Sequence, residues 1–104
     1  MDKRFSEMTK QELHQKIAEL TERARKAEQL GIVNEYAVLE RKIDMAKSYL
    51  LDPSNFQPGQ TYELEGDPGT TFTISFMNGT FAWGYRSGSK EEEAFPISML
   101  GKQK

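Results

Sequence analysis

Cysteine is absent from this chain of 104 residues, which excludes disulfides, thiolate metal sites and a cysteine nucleophile. His14 is the single histidine, so no pair of imidazoles is available to hold a metal ion. No apolar run approaches the length of a signal-peptide core or a membrane span. We therefore expect a cytoplasmic protein that uses no metal or cofactor and does not bind membranes.

The chain also lacks an excess of positive charge. Lysine and arginine number 14 against 16 acidic residues, which gives a formal net charge of −2 at pH 7. The imbalance lies in residues 53–104, because residues 1–52 contain as many basic as acidic side chains. Nucleic-acid binding normally depends on a marked positive charge, so this composition disfavours it.

Catalytic residues are equally scarce. His14 falls on a predicted helix, away from any predicted cleft. The turn Gly66–Gly69 lacks the glycine spacing of a phosphate-binding loop, and the run Glu91–Glu93 is typical of a solvated loop. We expect no enzyme activity and no catalytic site.

Residues 1–52 have the pattern of a helical hairpin. The apolar positions of the first helix recur every three or four residues, as do those of the second: Leu13, Ile17, Leu20, Ala24 and Ala27, then Tyr36, Leu39, Ile43, Ala46 and Leu50. Thr9 and Glu12 have the spacing of a capping box, Gly31 suits the end of the first helix, and Pro53 ends the second. The short connection predicts antiparallel helices with facing apolar seams, through which two copies could also associate.

The pattern changes after a Pro-containing linker at residues 53–60. Residues 61–104 show strand-like alternation and turn signals, with Asn78-Gly79 predicting a two-residue type I′ turn between strands at about 71–77 and 80–86. That register places six large side chains on one face, which would form the core: Phe72, Ile74, Phe76, Phe81, Trp83 and Tyr85. With a last strand near 94–97, we predict an α+β protein with a small SH3-like antiparallel β-barrel.

The aromatic residues of this barrel leave an alternative open. Large rigid rings at a barrel edge can anchor a peptide or stack on a base, and the candidate rim consists of Tyr62, Trp83, Tyr85 and Arg86. The pattern alone favours a core position for Trp83 but does not decide between core and rim.

Four stretches resemble the YfhH family, small proteins of bacilli and their relatives: "KRFSEMT", "KAEQLGIVNEYAVLERKIDMAKSYLLDP", "PGQTYELEGDPGTTFTISFMNGTFAWGYR" and "FPISML". The resemblance runs nearly end to end. It implies a helical hairpin followed by an SH3-like barrel in a family without an established activity, whose one functional label is transcriptional regulator. It supplies no catalytic or binding residues.

The regulator label directs attention to the basic residues of the helices, which are Arg23, Arg25, Lys26, Arg41, Lys42 and Lys47. Glutamates are interleaved with them, so surface ion pairs are the simpler interpretation. A helix-turn-helix motif does not fit well either, since Lys26 and Glu40 fall where it needs apolar side chains.

Two hypotheses follow. The favoured one is a protein-interaction module that binds an unidentified protein or peptide through the barrel and self-associates through the hairpin. The alternative is a nucleic-acid-associated transcriptional regulator that uses the basic residues.

Overall fold

The computed structural model describes residues 3–104. Its internal contacts divide the chain into two compact units, of which the first ends at Leu50 and the second runs from Leu51 to Lys104. The first contains two helices and the second an antiparallel sheet. The predicted α+β class and the order of its parts are therefore confirmed.

The helices are α1, Lys10–Gln29, and α2, Val33–Ser48, preceded by a 3₁₀ turn at Phe5–Glu7. The predicted capping box is present: the Glu12 backbone N–H donates to Thr9 Oγ1 and the Thr9 N–H donates to Glu12 Oε1, both at 3.1 Å. Each side chain thus satisfies a backbone donor that the first helical turn leaves free. Helix α1 ends before Gly31, whose φ of 71° suits a residue without a side chain.

The two apolar stripes pack against each other. Leu20, Ala24, Ala27 and Leu39 are buried together, with Phe5, Tyr36 and Ile43 partly buried around them. The alanines let the helices approach closely, as the sequence pattern predicts. Since these side chains are already buried within one chain, two copies could associate through the seam only if the hairpin opened.

The sheet has five strands in the order β4-β3-β2-β1-β5. Their bounds are β1 Thr61–Leu64, β2 Thr71–Asn78, β3 Phe81–Arg86, β4 Glu92–Pro96 and β5 Leu100–Gln103, with a 3₁₀ turn at Ile97–Met99 before the last. Strands β4 and β5 lie at the two edges. The barrel is therefore open between them. The sequence pattern had not indicated β5.

The predicted linker is tied to the sheet at its end. The Gly59 N–H donates to the Ile74 carbonyl at 2.8 Å, and the Ile74 N–H donates to the Gln60 carbonyl at 3.0 Å. Pro53–Asn55 forms a 3₁₀ turn, which Asp52 caps through the Ser54 N–H at 2.9 Å. Only part of residues 53–60 therefore serves as a plain connection.

The core of the sheet consists of Tyr62, Leu64, Phe72, Ile74, Ala82, Ile97 and Leu100, with Phe56, Met77 and Phe95 packed against it. Phe72 is fully buried and meets Phe95 edge-on, with ring centroids 5.1 Å apart. Neither Trp83 nor Tyr85 belongs to this core. The prediction that six large side chains of the β2–β3 hairpin share one buried face is wrong.

The turn between β2 and β3 differs from the predicted one. The residue pairs, from the turn outward, are Asn78 with Phe81, Met77 with Ala82, Phe76 with Trp83, Ile74 with Gly84 and Thr73 with Tyr85. The loop is thus Gly79-Thr80, one residue later than predicted. Gly79 has a φ of 60° and no non-glycine residue of 3–104 has a positive φ, which excludes type I′ and fits type II′. This displacement moves the partner of Phe76 by two residues, from Phe81 to Trp83. A shift of two residues keeps every side chain on its face, so the turn does not cause the error.

The cause of the error is a β-bulge. The β2–β3 register shifts between Ile74 and Phe76, so Ser75 is the extra residue. A bulge interrupts the alternation of side chains along its strand. Ile74 therefore points into the core while Phe76 points outward, although the two are two residues apart.

Gly84 marks a close approach within the hairpin. A Cβ atom built on it would overlap the carbonyl oxygen of Thr73. Only glycine fits there, because the opposite backbone leaves no room for a side chain.

Candidate functional site

Phe76, Trp83 and Tyr85 lie on the outer face of β2 and β3, as does the half-buried Phe81 beside the turn. Phe76 is 43% exposed, Tyr85 is 40% exposed and Trp83 is half-buried between them along the sheet. The rings of Phe76 and Trp83 are stacked, with centroids 5.7 Å apart and planes inclined by 7°. We call Phe76, Trp83 and Tyr85 the outer aromatic surface. Large apolar side chains grouped on a surface are typical of binding sites.

Strand β4 borders this surface on the side away from Phe76. Ala94 is opposite Trp83 and Glu92 is opposite Tyr85, so both project from the outer face. An alanine methyl is too small to cover an indole ring. Phe76 is stacked on Trp83 from the β2 side, and Ala94 and Glu92 are the neighbours of Trp83 on the β4 side.

The predicted rim does not form one surface. Trp83 and Tyr85 lie on the outer face, whereas Tyr62 is only 5% exposed and belongs to the core. The Tyr62 hydroxyl donates to Gln60 Oε1 at 2.7 Å, and burial raises its pKa. The prediction of Tyr62 as a rim residue is therefore wrong.

Arg86 also lies apart from the outer aromatic surface. It is paired with Phe72 across the hairpin and projects from the inner side at the end of the strand. Arg86 Nε donates to Glu93 Oε2 at 2.6 Å, and Asp67 Oδ2 lies 3.6 Å from another guanidinium nitrogen. The Glu93 carboxylate, with help from Asp67, raises the pKa of Arg86. Its charge is thus compensated within the sheet.

The basic residues of the helices are dispersed as well. At about 100° per residue, Arg23 and Arg25 lie about 200° apart around α1, with the buried Ala24 between them. Arg25 is paired with Glu22 at 3.1 Å. Arg25 and Lys47 line a common cavity, but that cavity also contains three acidic residues. The predicted strip therefore does not present cations alone.

That cavity lies between α1 and α2 and has a volume of about 350 Å³. Its acidic residues are Glu28, Glu40 and Asp44, and Tyr36 contributes a hydroxyl. The carboxylates of Glu40 and then Glu28 raise the pKa of Tyr36 to about 12. Partial burial and the charge of Glu40 raise the pKa of Asp44. Charges of both signs line this open groove, which gives no preference for one kind of ligand.

A smaller cavity of about 140 Å³ lies at the turn of the hairpin, lined by Ala27, Glu28, Gly31, Ile32, Val33 and Tyr36. Beside it, Leu30 and Val33 are each 74% exposed. This turn is the most apolar exposed part of the helical unit. We call Leu30, Ile32 and Val33 the turn cluster.

Within residues 3–104, no group of three or more acidic, histidine or cysteine side chains is arranged to hold a metal ion. In the same part of the chain, neither helix is long and apolar enough to cross a membrane.

Sequence reasoning missed Phe76, Glu92 and Ala94 as parts of a surface. The sequence pattern does not reveal Phe76 as a surface residue, because strict alternation assigns it to the core with Ile74. Only the bulge separates the two. Glu92 and Ala94 acquire their position only from the pairing of β3 with β4. The run Glu91–Glu93 indicated an acidic segment, but the sequence did not show which of its residues lies opposite Tyr85.

Comparison with known proteins gives a consistent result. The family described as "Protein of unknown function (DUF1811)" matches residues 3–101. "Uncharacterized protein YfhH" of Bacillus subtilis (strain 168) is 60% identical over 101 residues, which cover 96% of each chain. The resemblance seen in the sequence is thereby confirmed, and this chain belongs to the DUF1811 family.

Proposed function

We propose that this chain is a non-enzymatic cytoplasmic interaction protein that binds a peptide segment of a partner on its outer aromatic surface. The observation that carries the proposal is the exposure of Phe76, Trp83 and Tyr85 together on one sheet face. Partly exposed aromatic rings supply large contact area at little cost in conformational entropy, which is why they dominate binding energy at many interfaces.

Strand β4 adds a second element to this proposal. It is an edge of the sheet, and an edge strand offers unpaired backbone groups to an extended peptide. A peptide added there would place alternate side chains next to the outer face. The outer aromatic surface then supplies selectivity and the edge supplies backbone hydrogen bonds.

The test is affinity capture from a lysate of the source cells, at low and moderate salt and with and without nuclease. Wild type is compared with Tyr85→Ser and with Val38→Ser, a matched control at an exposed apolar residue of α2. We expect a protein retained at both salt concentrations by wild type and Val38→Ser but lost with Tyr85→Ser. Equal retention by all three would contradict the proposal.

Nucleic-acid association is the competing outcome of the same experiment. Contacts to phosphates release counterions and weaken steeply as salt rises. Recovery of nucleic acid that is lost at moderate salt, and lost with Arg23→Ala/Arg25→Ala/Lys26→Ala, would support the regulator in place of the interaction module.

Self-association is proposed at the turn cluster instead of the seam. The seam is buried within the hairpin, while Leu30 and Val33 are exposed beside a small apolar cavity. A two-fold contact needs a surface that is complementary to itself, and a protruding apolar pair next to an apolar cavity meets this condition. Sedimentation of wild type and Leu30→Ser/Val33→Ser tests it, because only wild type should then form dimers.

A further inference from the structure

The outer aromatic surface carries a negative charge that no cation of residues 3–104 pairs with. Glu92 is exposed, projects from the same face as Tyr85, and forms no ion pair with any residue of 3–104. Its neighbour Glu93 differs, since it is half-buried and paired with Arg86. The carboxylate next to the aromatic rings is therefore free for a ligand, whereas the one on the other face is engaged.

The aromatic rings add to this negative potential. The face of an aromatic ring attracts cations, and indole attracts them most strongly. Phe76 is stacked on Trp83 from β2, and the neighbour of Trp83 on β4 is Ala94, whose methyl group covers little of an indole ring. Trp83, Tyr85 and Glu92 thus surround a position that combines aromatic surface with a carboxylate.

The approach to this position is along an acidic edge. Strand β4 begins within the run Glu91–Glu93 and has no neighbour on its outer side within residues 3–104. A side chain from a strand added to β4 would have to cross Ala94 to reach Trp83, about two strand spacings away, or about 10 Å. Among natural side chains, arginine and lysine are the long ones that end in a cation.

We propose that the outer aromatic surface recognises an arginine or lysine side chain of a basic peptide segment that adds to the β4 edge. The cation would lie against Trp83 and Tyr85 and pair with Glu92. This inference rests on the proposed peptide-binding function and specifies its partner. The acidic edge argues against the two other occupants, because another copy's acidic edge and the phosphates of a nucleic acid would both be repelled.

The first experiment is a selection of random ten-residue peptides on wild-type protein, with counter-selection on Tyr85→Ser. Tyr85 is exposed, so its replacement should leave the fold intact, and Trp83 emission checks that it does. We expect arginine and lysine to be enriched among the selected peptides. Selected peptides without basic residues would overturn the inference but leave the peptide-binding proposal standing. If no Tyr85-dependent peptides are recovered, both fail.

The second experiment measures affinity directly. Trp83 is the single tryptophan, so its fluorescence reports binding at the site itself. One selected arginine peptide is titrated beside the same peptide containing citrulline, which has a similar shape but no charge. Loss of a cation–π contact and an ion pair should weaken binding by about threefold or more.

Charge variants locate the effect. Glu92→Gln should lower the affinity for the arginine peptide and leave the affinity for the citrulline peptide unchanged. Glu65→Gln, at an exposed glutamate after β1, should alter neither affinity. Equal affinity for the two peptides, or equal effects of the two variants, would overturn the inference. So would concentration-dependent self-association that Tyr85→Ser abolishes, because the surface would then bind a second copy.

Discussion

The helical unit and the sheet unit differ in how directly a local pattern decides burial. In the hairpin, the predicted stripe is the buried seam, and Leu20, Ala24, Ala27 and Leu39 lie in it. In the β2–β3 hairpin, equally clear alternation assigned Phe76, Trp83 and Tyr85 to the wrong face. A helix keeps its phase because each turn is bonded to the next. A strand has no such internal bonding, so one bulge changes which face its side chains occupy.

The sharpest test of this comparison uses two phenylalanines of one strand. Phe72 is fully buried and Phe76 is largely exposed, although strict alternation treats them alike. Phe72→Ala should lower the free energy of unfolding by about 3–5 kcal/mol, whereas Phe76→Ala should lower it by about 1 kcal/mol. Urea unfolding followed by Trp83 fluorescence measures both. Similar losses for the two variants would contradict a bulge at Ser75.

The corresponding test in the helical unit uses Leu20, which is buried in the seam. Leu20→Ala should lower the free energy of unfolding by about 2–4 kcal/mol, and Val38→Ala, at an exposed position of α2, by less than about 0.5 kcal/mol. Far-ultraviolet circular dichroism follows the helices, and Trp83 fluorescence follows the sheet. If Leu20→Ala moves both transitions equally, the two units unfold as one cooperative body.

A smaller effect is expected at the start of α1. Thr9→Ala removes the side chain that accepts the Glu12 N–H, and loss of an N-cap costs about 1 kcal/mol. Thr9→Ser retains the hydroxyl and serves as the matched control. A stability of Thr9→Ala equal to that of Thr9→Ser, measured by circular dichroism in urea, would show that the cap contributes little.

The smallest effect concerns acid stability. The backbone N–H of Thr9 and then Lys3 hold the pKa of Glu12 below its usual value. A folded-state pKa below the unfolded one contributes stability above the unfolded pKa, and this is lost as pH falls through the folded pKa. Wild type should therefore exceed Glu12→Gln in stability at neutral pH and converge with it in acid. A difference that persists unchanged in strong acid would contradict this assignment.

The candidate surface depended on pairing that no single segment encodes. Trp83 and Tyr85 could be named from the sequence as aromatic residues with an uncertain position, because large rings occur both in cores and at binding sites. The Ser75 bulge separated Phe76 from the buried Ile74, and the pairing of β4 with β3 placed Glu92 and Ala94 beside the aromatic rings. Tyr62 left the set because β1 places it in the core.

The sequence by itself determined the α+β class, the helical hairpin with its cap and seam, and the position of most strands. These features depend on contacts within a few residues, such as Thr9 with Glu12, or on a repeat that persists along a helix. The tertiary structure alone decided which face of β3 is buried and which side chains meet on the outer surface. Those outcomes depend on interstrand register, which a close contact such as that of Gly84 with the Thr73 carbonyl helps to set.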